Sequence, residues 1–158
     1  MIGDTRDVTV HIDAPPERVW VMLADVTRMG EWSPENQGAE WIDGATGPAV
    51  GARFKGHNRR GWARWSTTCE VVACEPGREF AFLVGGTEKP ETRWRYVFQP
   101  VDGGTDVTES FELVRRISWS MRLLTRLVIG VRDREADMEE SMRSTLARLK
   151  AAAEAVSG

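Results

Sequence analysis

Little in this sequence offers a reactive group in a recognisable frame. Its 158 residues hold only two cysteines, Cys69 and Cys74, with no CxxC spacing between them. They read as small reduced residues, which suits a cytoplasmic protein. Only His11 and His57 could join them around zinc, and neither stands at ligand spacing, so no metal is expected. Serines such as Ser33, Ser66 and Ser110 are present, but no GxSxG nucleophile elbow is. A P-loop and a dinucleotide fingerprint are also missing, so no cofactor is expected. An excess of positive charge is lacking too. The net charge of -3 and pI near 5.5 exclude general nucleic-acid binding, which needs a basic surface. The one basic run, "HNRRGWAR", reads as a solvated turn. The first residues, "MIGDTRDVTV", have no positive stretch followed by an apolar core, so no signal peptide is read and a cytoplasmic location is expected. No apolar run is long enough to cross a bilayer.

What is present fits one folded domain spanning 1–158. Hydrophobic residues make up 41% and charged residues 28% of the chain, ordinary values for a globular protein with a real core. "RDVTVHID" alternates, with Val8, Val10 and Ile12 on one face, and predicts a first strand. "APPERVWVMLADV" predicts a helix, its prolines in the first turn and Asp13 or a neighbour as its cap. "TRMGEWSPE" predicts a second short helix that Pro34 ends. Six strands follow. "AEWID", "ARFKGHN", "ARWSTTCEVVAC", "REFAFLV", "TRWRYVFQ" and "TDVTESFEL" are separated by turn-forming stretches such as "GGTEKPE" and "PVDGGT".

From about Ser118 to Ala155 the composition is helical. One straight helix would run roughly 55 Å at ~1.5 Å per residue, against a radius of gyration of about 15 Å for a domain of this size. A break at Gly130 is therefore expected. After it, Met138, Met142, Leu146, Leu149 and Ala153 form one apolar stripe, and Glu139 and Arg143 pair on the solvent side. Before it, "SWSMRLLTRLVIG" carries more apolar surface than one buried stripe needs. That segment reads as a lid, a homodimer contact or a membrane-touching surface.

Hairpin connections make the sheet antiparallel, and its apolar face needs a cover. Only the last helix is long and apolar enough to provide it. Inward parity selects Phe54, Asn58, Trp65, Thr67, Cys69, Phe80, Phe82, Trp94, Tyr96, Glu109 and Phe111, with Met138 and Met142 facing them from the helix. Rings, sulfur and a few polar points suit a flat or flexible apolar ligand, although the same residues could simply fill a core. Trp32, in the polar stretch "GEWSPENQGAEW", is a further candidate as an entrance contact, or as the side chain that packs the short helix on the sheet. Glu109 is the anomaly. It shares the parity of Val107, Phe111 and Leu113, and a buried carboxylate must be paired, protonated or wet. It could pair with an internal Arg, Asn58 or the Tyr96 hydroxyl, flip outward at a bulge, anchor a ligand, or move a proton.

The order of elements, with "APPERVWVMLADVTRMGEWSPE", "EPGREFAF", "WRYVFQPVDGGTDVTESFEL" and the long C-terminal helix, resembles the polyketide cyclase/dehydrase and lipid-transport superfamily (SRPBCC). This is a START-related helix-grip group, and the resemblance spans essentially the whole chain. It implies an α+β helix-grip fold (β-α-α-β6-α). A curved antiparallel sheet of about seven strands would wrap a long C-terminal helix around an internal cavity. It implies binding of a hydrophobic small molecule there, lipid or aromatic polyketide-like, by a carrier or sensor. The alternative it implies is a cyclase or dehydrase using the same cavity; no family catalytic motif carries over, and Glu109 and Tyr96, chosen by their inward parity and chemistry, are the catalytic candidates. Neither a nucleic-acid partner nor an integral membrane segment is implied.

Overall fold

The computed structural model describes residues 5–114 and 134–155. Seven strands form one antiparallel sheet: β1 (Thr5–Ile12), β2 (Asn36–Ile42), β3 (Arg53–Arg60), β4 (Ala63–Glu75), β5 (Glu79–Val84), β6 (Thr92–Val101) and β7 (Gly104–Leu113). Helix α1 (Pro16–Ala24) and a 3₁₀ helix (Val26–Glu31) separate β1 from β2, and helix α2 (Arg134–Ala155) closes the described chain. The strand order is β1-β7-β6-β5-β4-β3-β2. Consecutive hairpins build the run from β2 to β7, and β1 then adds to the far edge beside β7. This is the helix-grip order expected from the sequence.

The sequence pattern and the structure differ at three places in the N-terminal half. The second helix is a short 3₁₀ segment that ends at Glu31, ahead of Pro34, with the Asp25 side chain accepting from Thr27 N–H at its start. Strand β2 begins at Asn36 rather than Ala39, because a bulge between Asn36 and Gly38 lets the chain enter the sheet early. Helix α1 has Pro15 as its N-cap with no side-chain cap bond. Asp13 instead contacts the His11 ring at 3.2 Å. Pro15 and Pro16 need no amide partner, so the first turn loses little by going uncapped.

Polar ties fix the helices on the sheet. The Trp20 indole N–H donates to the Glu79 carbonyl at 2.9 Å, and the Thr105 hydroxyl donates to the Ala14 carbonyl at 2.7 Å. Helix α2 packs mainly on β1, with lesser contacts to α1 and β7. Its stripe is the expected one: Met142, Leu146, Leu149 and Ala153 are buried and Met138 is half-buried. Thr145 joins this stripe and satisfies its hydroxyl on the Ser141 carbonyl at 2.9 Å. Lys150 reaches over to the His11 carbonyl at 2.8 Å, fastening the helix to β1. Glu139 and Arg143 pair at 2.8 Å as the spacing predicts. The expected break at Gly130 and the segment "SWSMRLLTRLVIG" lie outside the described residues.

Candidate ligand site on the inner sheet face

Strand register decides which side chains meet. Trp41 pairs with Phe54, Phe54 with Cys69, and Cys69 with Val84, forming one row across four strands. A second row runs Arg6, Phe111, Trp94 and Phe82. A third runs Val8, Glu109, Tyr96 and Phe80. All eleven sheet residues predicted to point inward therefore share one face.

The rings on that face interlock. Trp41 and Phe54 meet edge-on with centroids 5.7 Å apart, as do Phe54 and Phe82 at 5.1 Å, while Phe80 and Phe82 are tilted at 6.1 Å. Trp94 and Phe111 form a separate edge-on pair at 5.0 Å. Such offset contacts stabilise by about 0.5–1.5 kcal/mol beyond the area buried. Burial divides the set. Phe54, Cys69, Phe80, Phe82, Tyr96 and Met142 are buried core, while Asn58, Trp65, Thr67, Trp94, Phe111 and Met138 keep partial exposure. Trp32 is 1% exposed, as a core side chain holding the 3₁₀ turn against the sheet, with the Arg28 guanidinium 5.0 Å from its ring centroid.

Two polar features interrupt the aromatic wall. The first is a ladder near the β2 edge. The Asn36 amide donates to Asn58 at 3.4 Å, and the Asn58 amide donates to Thr67 at 3.5 Å. Asn36 was missed in the sequence because "ENQ" reads as loop, and only the early start of β2 brings it onto the sheet. Its side-chain oxygen accepts the Gly38 N–H at 2.7 Å, so the bulge and the ladder share one residue.

The second feature is Glu109, 1% exposed. No bulge flips it outward: it stands opposite Val8 on one side and Tyr96 on the other. Its Oε1 is buried with no hydrogen-bond partner among the described residues. Desolvation raises the Glu109 pKa to about 8, and the nearby Tyr96 side chain only partly opposes it. The carboxyl is therefore neutral at pH 7. Burial, then the nearby Glu109, push the Tyr96 hydroxyl well above its ordinary value. The pair is a neutral acid beside a neutral phenol, able to hold a proton in an apolar setting.

The cysteines are both free. Burial pushes the Cys69 thiol up to about 12, which leaves it no nucleophilic role near neutrality. No cluster of metal-ligating side chains occurs among the described residues. An open depression in the β2–β3 connection, bounded by residues between Asp43 and Arg53, contains none of the predicted site residues.

Across residues 5–154 the chain matches the family model described as "Polyketide cyclase / dehydrase and lipid transport". The chain belongs to this polyketide cyclase/dehydrase and lipid-transport family. A solved relative is the Polyketide_cyc-like protein Cgl2372 from Corynebacterium glutamicum, 32% identical over 95% of this chain and 85% of its own, with a TM-score of 0.52. Two more distant structures share the fold. The Zhui aromatase/cyclase from Streptomyces sp. R1128 is 19% identical over 96% of this chain and 93% of its own, TM-score 0.70. The major latex-like protein 151 of Panax ginseng is 14% identical over 97% and 99%, TM-score 0.71. None of the curated proteins matches the chain significantly. No described helix is long and apolar enough to cross a membrane.

Proposed function

We propose that this family member binds a hydrophobic small molecule, of lipid or aromatic polyketide type, in a cavity between the inner sheet face and α2. The observation that carries this reading is the surplus of aromatic surface on that face. Phe54, Phe80 and Phe82 already close the core, yet Trp65, Trp94 and Phe111 share their face and stay partly exposed. An apolar ligand stacked on these rings, with Met138 adapting to its outline and Asn58 and Thr67 orienting a polar group, would cover them. The family description, which names both cyclases and lipid transport, supports this ligand class. The test is organic extraction of purified protein followed by mass spectrometry, with a melting-temperature screen of lipids and polycyclic aromatics. A co-purifying apolar molecule, or a probe that raises the melting temperature, is the expected result. Failure of both removes the proposal.

A second reading, a cyclase or dehydrase, is favoured by one feature: the buried Glu109 carboxyl opposite Tyr96, its pKa raised to about 8 by desolvation. Such an acid could donate a proton to a folded poly-carbonyl chain held out of water, and the carboxylate left behind could then take one back. The aromatase/cyclase of the same fold is consistent with it. Glu109→Gln separates the two readings. An enzyme would lose turnover far more than binding, and a carrier would show no selective loss of turnover.

A further inference from the structure

The basic run "HNRRGWAR" has no part in the proposed cavity. Structurally it is the tip of the β3–β4 hairpin. Arg60 pairs with Ala63, and Gly61 and Trp62 make the two-residue loop. Of these two, Gly61 alone takes a positive φ, +60°, as the first loop position of a type II′ turn does. This turn leaves Trp62 in solvent. Trp62 is 78% exposed, more than the other exposed large hydrophobic side chains, Val21 and Val50. Directly behind it, Arg59 and Arg64 stand opposite each other in the ladder. Like charges in directly opposed positions repel. Yet neither side chain meets a carboxylate among the described residues: the Arg59 guanidinium donates to the Gly61 carbonyl, at 3.1 Å. Acids serve the neighbouring side chains instead, Glu35 pairing with the Arg60 guanidinium at 2.8 Å and Glu40 contacting the His57 ring at 3.1 Å.

We propose that the β3–β4 hairpin tip is a docking element for an anionic lipid bilayer, with Trp62 in the interfacial layer and Arg59 and Arg64 on lipid phosphates. An indole on a convex tip suits the headgroup layer, which takes its ring and its N–H together. Two guanidiniums side by side gain bidentate phosphate contacts, and the anions relieve their mutual repulsion. The chemistry favours a bilayer over a nucleic acid. The tip carries one ring on a projection, not the row of rings in a basic groove on which the bases of a single strand stack. Two cations and one ring give reversible, salt-sensitive contact rather than a permanent anchor. That behaviour suits a protein that meets a membrane briefly. The inference stands on the hairpin alone and does not depend on the cavity.

Flotation of the purified full chain tests it. The vesicles are phosphatidylcholine alone, or phosphatidylcholine with about one-third phosphatidylserine. The expected result is partition onto the anionic vesicles only, falling with added salt. Arg59→Gln with Arg64→Gln should lower that partition about 30-fold, and Trp62→Ala about tenfold. Unchanged circular dichroism in both variants would show that the exposed tip, not the fold, is affected. Equal partition onto neutral and anionic vesicles overturns the proposal. So does undiminished binding by the double variant, or retention of a single-stranded oligonucleotide with no vesicle binding.

Discussion

Tyr96 and Glu109 stand opposite each other in the β6–β7 ladder, and the Glu109 carboxyl is buried there with its Oε1 lacking a hydrogen-bond partner among the described residues. A carboxylate there would be a buried charge with no counterion among the described residues; a protonated acid is a tolerable polar group. The fold thus holds a proton that the unfolded chain would release at neutral pH.

That difference makes stability depend on pH with a definite sign. The Glu109 pKa is about 8 in the fold against an ordinary 4.5. Between those values the folded state binds the extra proton, so this group's stabilising contribution is complete below pH 4.5 and is lost as pH rises through 8. The full gap corresponds to on the order of 4–5 kcal/mol at about 1.4 kcal/mol per pH unit. Urea unfolding at pH 5 and pH 9 should show the wild type weakening relative to Glu109→Gln, with the variant the more stable at pH 9. Parallel curves would mean that the carboxyl is already ionised in the fold.

His11 titrates at the other side of β1. Its Nδ1 lies 2.7 Å from an Asp106 carboxylate oxygen, and its Nε2 lies 3.2 Å from Asp13. The Asp106 hydrogen bond, opposed by some desolvation, holds the imidazole pKa above its ordinary 6.5. The protonated ring binds the fold better, so its contribution is present below pH 6.5 and lost as pH rises through the raised value. A proton NMR titration should place the His11 midpoint above 6.5, and Asp106→Asn should bring it down. A midpoint that Asp106→Asn leaves in place would show that the contact carries no charge coupling.

Helix α2 separates a buried position from a surface one at close quarters. Leu146 is fully buried in the stripe over β1, whereas the Glu139–Arg143 pair faces solvent. Leu146→Ala should cost about 2–5 kcal/mol through lost transfer energy and an unfilled cavity. Glu139→Ala should cost under about 0.5 kcal/mol. Chemical denaturation of both variants checks the contrast, and comparable losses would place Leu146 outside the core.

Much of this was readable from side-chain period alone. The alternation in "TRWRYVFQ" and "TDVTESFEL" put Trp94, Tyr96, Phe111 and Glu109 on one face, and the ladder confirms it. The stripe from Met142 to Ala153 was equally plain, because a long helix repeats its signal over several turns. Local geometry was not readable. The β2 bulge depends on how the chain leaves the 3₁₀ turn, so Asn36 stayed hidden. The Glu109 partner was one of several open choices. Parity fixes a face, but only register selects Tyr96 over Asn58 or an arginine as the side chain opposite.

Gly104 offers a direct test of that register. It opens β7 beside β1, and a Cβ there would lie 2.5 Å from the Ile12 carbonyl oxygen and 2.8 Å from His11 Nε2. The oxygen belongs to backbone, so relief requires β1 to move off the sheet edge, disturbing both the β1–β7 ladder and the strand on which α2 rests. Its neighbour Gly103 is a different case. A Cβ there meets nothing within 4 Å, but φ is +79°, a conformation that costs an L-residue about 1–2 kcal/mol. Gly103→Ala should therefore lose about that amount and leave hydrogen exchange in β1 unchanged. Gly104→Ala should lose more, roughly 2–4 kcal/mol as an overpacked site forced against backbone, with faster exchange concentrated in β1 and α2. Equal losses for the two, with no local change in β1, would mean that β1 is not held against β7 at Gly104.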